Sequence, residues 1–161
     1  MSFTNIKLKS QNERGFTIVE LLIVVVVIAI LAAITIVSYN GITNRANQSA
    51  AKSAAATAQK KVELYQSENG RYPIADTELS SDQSDSWYLA PSSFGSTDPA
   101  PDTGKNYVRI QGCMASAGTL SASNVTGIRI TYWNYGEGGG TPTTANLDLG
   151  ENCGTARADL N

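Results

Sequence analysis

The most constraining feature of the sequence is an apolar segment that runs from Phe16 to Val37. Its 22 residues contain one charged side chain, Glu20, and two hydroxyl side chains, Thr17 and Thr35. Sixteen of them are Phe, Leu, Ile or Val, and on an insertion scale these contribute about −6 kcal/mol in favour of the membrane. As a helix the segment would be about 33 Å long, close to the thickness of the hydrocarbon core. We therefore expect a membrane-spanning helix rather than a purely soluble protein.

The charges before this segment predict its orientation. Lys7, Lys9 and Arg14 precede it, and only Glu13 opposes them, so the short N-terminal flank should stay in the cytoplasm while the rest faces outward. Two alternatives have to be considered. One is a cleaved secretory signal, although its apolar region would be shorter and would end in a small-residue cleavage site. The other is a permanent anchor with no special N-terminal chemistry.

Glu20 argues against both alternatives, because a carboxylate in so apolar a segment requires a partner. If the chain were cut between Gly15 and Phe16, the new ammonium group of Phe16 would place a positive charge at the same membrane depth. Within one helix this pair would gain little, since Glu20 already lies at the positive end of the helix dipole. Between two chains offset along their axes, the ammonium group of one can meet the Glu20 carboxylate of the other. Such a contact would set an axial register.

The sequence around the proposed cut resembles the processing site of type IV prepilins over residues 14–22, RGFTIVELL. The match combines a basic leader, a glycine before the cut, a phenylalanine after it, a glutamate at the fifth residue of the cut chain and an unbroken apolar helix. The resemblance implies cleavage after Gly15 by a membrane aspartyl prepilin peptidase, N-methylation of Phe16 and assembly into a helical filament by a cytoplasmic ATPase. Many relatives carry helix breakers about where Ala29 and Val37 stand here.

Helical composition continues beyond this segment into a stem, residues 40–70. Asn40 and Gly41 are expected to loosen or kink it, since glycine costs about 1 kcal/mol in a helix. A face of small and apolar residues recurs at spacings of four and finally three, and consists of Ile42, Ala46, Ala50, Ala54, Ala58, Val62 and Tyr65. We expect the distal half of this face to pack on its own domain, and Ala46–Ala58 to pack against neighbouring subunits.

The end of the stem has clear signals. Asn69 and Gly70 provide a left-handed C-cap, and Pro73 prevents the helix from continuing. The run at residues 69–73, NGRYP, also resembles the helix exit of pilins and secretion pseudopilins.

The remaining residues, 71–161, are too few for a large core unless the stem supplies one wall. Asn106–Gln111 alternates between apolar and polar residues, as does the stretch from Ile128 to Trp133, and a glycine-rich turn from Gly136 to Pro142 leads to a third alternating pattern at 145–149. These patterns predict a hairpin within an antiparallel sheet. The expected fold class is α+β, in which a long N-terminal hydrophobic helix packs its C-terminal half on a small antiparallel sheet, as in type IV pilins.

The segment between the stem and these strands is strongly acidic. Residues 72–104 carry no Lys or Arg and six acids, which are Asp76, Glu78, Asp82, Asp85, Asp98 and Asp102. Oxygen-rich loops suit calcium, but no regular ligand spacing occurs here, so we predict a solvated loop and no metal site. Its apolar residues, Trp87, Tyr88, Leu89 and Phe94, are expected to pin the loop to the domain. An exposed aromatic adhesion patch is the alternative.

Two cysteines, Cys113 and Cys153, lie on the outward side of the membrane by the orientation argument. A disulfide is expected there, and closing the separation of 40 residues would contribute about 4 kcal/mol; free thiols are the alternative. The pair also resembles the C-terminal disulfide loop of many pilins. Asn124 opens an Asn-Val-Thr sequon, a triplet that also occurs by chance.

Catalytic classes are poorly supported. The chain has no histidine, which excludes histidine triads, imidazole metal sites and histidine general bases. It also lacks a Gly-x-Ser-x-Gly elbow, a phosphate loop and a metal-ligand cluster, so we predict no enzyme activity and no cofactor. The formal charge is −2 and becomes 9 − 13 = −4 after removal of the leader, which does not support nucleic acid as a partner.

We therefore predict a leader peptide (1–15), a transmembrane and polymerisation helix (16–39), a helical stem (40–70) and a globular head (71–161). The resemblance implies a type IV pilus subunit with roles in adhesion, twitching motility or DNA uptake. The alternatives are a pseudopilin of a type II-like secretion system and a minor pilin that binds a ligand or DNA. Implied partners are further copies in a filament, the prepilin peptidase, the pilus assembly machinery and, before assembly, membrane lipid. The expected location is first the membrane and then an extracellular pilus on a bacterial cell.

Overall fold

The computed structural model describes residues 15–103, 105–136, 141–154 and 156–160. The chain comprises two compact units, Met1–Asn40 and Gly41–Asn161. The predicted leader lies outside the described residues except for Gly15, and so do residues 137–140 of the predicted glycine-rich turn.

A single helix, α1, accounts for the apolar segment and the stem, from Ile18 to Asn69. It includes Asn40 and Gly41, so the loosening expected at this pair does not end the helix. The helix ends where the sequence signals predicted. Gly70 adopts a positive φ of 70°, and its N–H donates to the carbonyl of Gln66 over 2.8 Å, which satisfies one of the last free carbonyls of the helix.

The buried face of the stem differs from the predicted one. It is formed by Gln48, Ala51, Ala55, Ala58, Val62 and Tyr65, at spacings that alternate between three and four. Of the predicted stripe, Ala58, Val62 and Tyr65 are buried, whereas Ile42 and Ala46 are exposed. The reason is geometric, because four residues turn a helix by about 400°, so a strict spacing of four drifts off any one face.

The head contains a short helix and five strands. Helix α2 spans Thr77–Ser80, and the strands are β1 (Phe94–Gly95), β2 (Val108–Met114), β3 (Val125–Asn134), β4 (Thr143–Gly150) and β5 (Ala156–Asp159). Strands β2, β3 and β4 form an antiparallel meander, and the predicted hairpin is the β3–β4 pair. On its other side β2 pairs antiparallel with β5 and, over two residues, parallel with β1.

The core lies between the stem and one face of this sheet. Val108 and Ile110 of β2 and Ile128 and Ile130 of β3 are almost fully buried, and they cluster with the buried face of α1. The α+β prediction, with the C-terminal half of the helix on a small and mostly antiparallel sheet, is thus confirmed. The short parallel β1–β2 pair is an addition that no sequence pattern indicated.

The opposite face of the sheet is polar and is held by ion pairs between strands. Arg129 on β3 binds Asp148 on β4 through two hydrogen bonds of 2.7 and 2.6 Å. Arg109 on β2 binds Asp159 on β5 over 2.9 and 3.0 Å and also reaches Asp98 in the acidic loop. These bidentate contacts add geometric specificity to the strand pairing.

Candidate assembly site

The start of α1 brings together the residues of the predicted processing site. Gly15, Phe16 and Thr17 precede the helix, and Glu20 lies in its first turn. The Thr17 N–H and Thr17 Oγ1 each donate to Glu20 Oε2 over 2.8 Å. In return the Glu20 N–H donates to Thr17 Oγ1 over 3.2 Å. This reciprocal arrangement is a capping box.

The capping box changes how Glu20 is interpreted. Its carboxylate has hydrogen-bond donors within its own chain, so it is solvated locally even without a cation. Both donated bonds go to Oε2, and within the described residues no group donates to Oε1. Because an ionised carboxylate accepts about four hydrogen bonds, the site retains acceptor capacity for a further donor.

Sequence reasoning missed Thr17 as a member of this site. The signal was present, since a Thr or Ser followed three residues later by Glu before an apolar run marks a capping box, and Thr17 to Glu20 has this pattern.

An exposed apolar surface extends from Phe16 along the first half of α1. Phe16, which precedes the helix, is 89% exposed, and Leu31 and Ile36 within the helix are 58% and 66% exposed. In the described part of the chain α1 is the one helix long and apolar enough to cross a membrane by length and composition. An exposed apolar surface of this size marks contact with lipid or with other protein surfaces.

Both cysteines lie in the head. Cys113 at the end of β2 and Cys153 before β5 form a disulfide, with Cα atoms 4.7 Å apart. Both are buried, and Arg157 on β5 donates to the carbonyl of Cys153 over 2.6 Å. The bond therefore fastens the C-terminal segment to the central strand of the sheet.

The acidic loop is partly neutralised by arginines from elsewhere in the head. Glu78 pairs with Arg71 and Asp98 pairs with Arg109. Burial, followed by the negative charge of Asp159, raises the pKa of the Asp76 carboxyl. Among the described residues no group of three or more acidic or cysteine side chains is placed to hold a metal ion.

Three of the four apolar residues predicted to pin this loop, Trp87, Leu89 and Phe94, pack in or against the core of the head, and Tyr88 does not belong to it. Leu89 and Phe94 belong to the core. The Trp87 ring packs edge-on against Tyr65 with centroids 5.6 Å apart, and its Nε1 donates to the carbonyl of Glu78. These residues therefore serve packing rather than an exposed adhesion patch.

The sequon asparagine has a structural role. Asn124 Oδ1 accepts from the Ser121 N–H, and Nδ2 donates to the Thr119 carbonyl, each over 2.8 Å. The amide closes the turn before β3.

Comparisons with known proteins find a family motif at the N-terminus. Residues 10–36 match the family model of the prokaryotic N-terminal methylation motif. The type II secretion system core protein G of Klebsiella michiganensis is 28% identical over 72 residues, which are 45% of this chain and 51% of that protein. The type IV wide pilus major component PilA4 of Thermus thermophilus is 42% identical over 62 residues, 38% of this chain and 47% of that protein.

A third relative covers more of the chain. The type IV major pilin protein PilE1 of Neisseria gonorrhoeae is 28% identical over 134 residues, 79% of this chain and 66% of that protein. The chain spans about half the length of the first curated relatives it matches. No solved structure matches it significantly.

Proposed function

We propose that this chain is a structural subunit of a type IV pilus. The premise is that it carries the N-terminal methylation motif and has type IV pilins and type II secretion pseudopilins as homologues. It is inserted in the membrane, cleaved after Gly15 and N-methylated at Phe16. It then polymerises through its N-terminal helix into an extracellular filament. Its role is non-catalytic.

The observation that carries this proposal is an acid and an exposed apolar helix at the same end of the chain. The apolar side chains from Phe16 to Ile36 are exposed in the described chain. They can contact lipid before assembly and neighbouring helices afterwards. Moving apolar surface from lipid to protein brings little net hydrophobic gain, so polar contacts have to supply specificity. The acceptor capacity of Glu20 Oε1 fits the ammonium group of Phe16 from an adjoining subunit.

The runner-up function is a pseudopilin of a type II-like secretion system. The similarity to core protein G favours it, but that similarity covers 45% of this chain, whereas the gonococcal pilin aligns with 79%. The extended alignment and the disulfide in the head lead us to prefer a surface pilus. Adhesion, twitching motility and DNA uptake are all functions that such a filament can serve.

The proposal is tested by two substitutions at one position. Glu20→Ala removes both the charge and the capping acceptor, whereas Glu20→Gln keeps an acceptor oxygen for Thr17 and removes the charge. We expect both variants to be inserted and cleaved but not incorporated, as seen by immunoblots of membranes and electron microscopy of cells that lack the wild-type subunit.

Glu151→Gln, an exposed acid in the head, is the matched control and should assemble normally. Abundant filaments from Glu20→Gln would contradict the proposed charge contact. If the wild-type chain with its assembly system made no filaments, the pilus function itself would be wrong.

A further inference from the structure

The charges of the head unit are segregated along the chain. From Gly41 to Val62 there are four Lys or Arg residues and no acid, whereas residues 72–104 contain six acids and no Lys or Arg. The first stretch belongs to α1, and the second forms the acidic loop. Both stretches belong to one compact unit, Gly41–Asn161, and the next acid on α1 after the basic stretch is Glu63.

On the acidic side, ion pairs within the chain leave part of the charge uncompensated. Glu78 and Asp98 are neutralised by Arg71 and Arg109. Three further acids, Asp82, Asp85 and Asp102, form no ion pair with any cation of the described chain. Asp82 and Asp102 are exposed, and Asp85 is half-exposed.

On the basic side, Arg45 and Lys60 lie on the exposed face of α1, opposite the buried stripe. Neither forms an ion pair within the described residues. They are 15 residues apart, or about 22 Å along the helix, and Lys52 lies between them on the same exposed face. Lys61, the fourth cation, is half-buried and donates to the Ser86 carbonyl.

We propose that these two surfaces dock on each other between copies of this chain. The basic face, defined by Arg45 and Lys60, contacts the acidic loop of a second copy through Asp82, Asp85 and Asp102. The inference rests on the proposed assembly function and adds a second, electrostatic contact between subunits outside the membrane segment.

The charges favour a second copy of this chain as the binding partner of these surfaces. Every copy supplies both surfaces in equal number, and a mature chain of net charge 9 − 13 = −4 would otherwise repel its neighbours. Like surfaces facing each other repel, so the contact has to join different surfaces on the two copies. A contact between unlike surfaces gives a ring where its rotation closes and an open helical filament where it does not, so it is compatible with a helical filament.

Charge reversal tests the docking in the full chain. One variant carries Arg45→Glu and Lys60→Glu, a second carries Asp85→Lys and Asp102→Lys, and a third combines all four. Asp82 is left intact because its Oδ1 holds the local turn through Ser84. Glu151→Lys, outside both surfaces, is the control for altered net charge. Filaments are sheared from cells and quantified against subunit abundance in membranes.

Each exposed ion pair shifts an equilibrium by up to about fivefold, and reversal converts attraction into repulsion at every repeat of the contact. We therefore expect each two-site reversal to lower the filament yield by at least about tenfold, the combined variant to recover most of it, and Glu151→Lys to match the wild type.

The inference is overturned if either two-site reversal assembles like the wild type, or if the combined variant assembles no better than the two-site variants. Wild-type filaments in the same experiment separate this failure from a failure of the proposed function. If the wild type yields none, both are wrong.

Discussion

At the residue scale, the Glu78 carboxylate accepts several hydrogen bonds within the head. It accepts from the Arg71 guanidinium and from the Ile74 N–H, the latter over 2.7 Å. Burial raises the pKa of the Glu78 carboxyl, but the hydrogen bonds from Arg71 and from the Ile74 N–H outweigh burial and hold the pKa below its ordinary value. Arg71 in turn lies over the Tyr65 ring, so this contact joins the loop to the end of the helix.

Replacing Glu78 should therefore destabilise the head in a pH-dependent way. We expect Glu78→Gln to lower the free energy of unfolding by about 1–3 kcal/mol at pH 7, because the Arg71 guanidinium loses its charged acceptor. The native carboxyl group has the lower pKa, so its contribution is full above the pKa of the unfolded chain and is lost as the pH falls through the native pKa. The difference from the wild type should accordingly shrink below about pH 4.5.

Denaturant unfolding of the full chain in detergent, recorded at several pH values, measures this difference. Glu151→Gln provides the control, since Glu151 is exposed and its loss should change stability by less than about 0.5 kcal/mol. A constant difference for Glu78→Gln between pH 7 and pH 3 would show that the ionised carboxylate does not stabilise the head.

At the element scale, the stem helix owes its position in the head to alternating spacings of three and four. Ala51, Ala55 and Ala58 are almost fully buried, and Ala55 and Ala58 belong to the same core cluster as the buried residues of β2 and β3. The neighbouring Ala56 is exposed. The alanine-rich half of the stem thus contributes to the core of its own head, and its exposed side remains available to other surfaces.

Substituting adjacent alanines distinguishes these two sides of the helix. Ala55→Leu should overpack the core and lower the free energy of unfolding by about 1–3 kcal/mol. Ala56→Leu should change it by no more than about 0.5 kcal/mol. Thermal or denaturant unfolding of both variants checks the prediction, and equal effects at the two positions would contradict the assigned buried face.

These elements also indicate which parts of the fold could be predicted. The end of α1 followed from local chemistry, because a Gly with positive φ and a nearby Pro leave few options. The β3–β4 hairpin followed from alternation. The prediction of the buried face of the stem was only partly correct, because alanines fit either side of a helix and give no contrast between core and surface. Partnerships such as β1 with β2 depend on distant residues and leave no local pattern.

At the scale of the whole molecule, local motifs could again be predicted from the sequence, whereas contacts between distant residues could not. The residues Gly15, Phe16 and Glu20 were recognised from a contiguous motif, and the missing member, Thr17, lay within it. The acidic loop was recognised as charged, but which acids are neutralised could not be predicted. Arg109 comes from β2 and Asp98 from the loop, and only the folded chain brings them together.

The proposed assembly depends on processing at one peptide bond. Release of the leader and the contact between Glu20 and the amine of Phe16 both require cleavage between Gly15 and Phe16. The most direct measurement is the intact mass and the N-terminal peptide of the subunit recovered from sheared filaments. We predict a chain that starts at Phe16, with a methylated amine and an intact Cys113–Cys153 bond. A chain that starts at Met1, or one that is cut near residue 33, would contradict it.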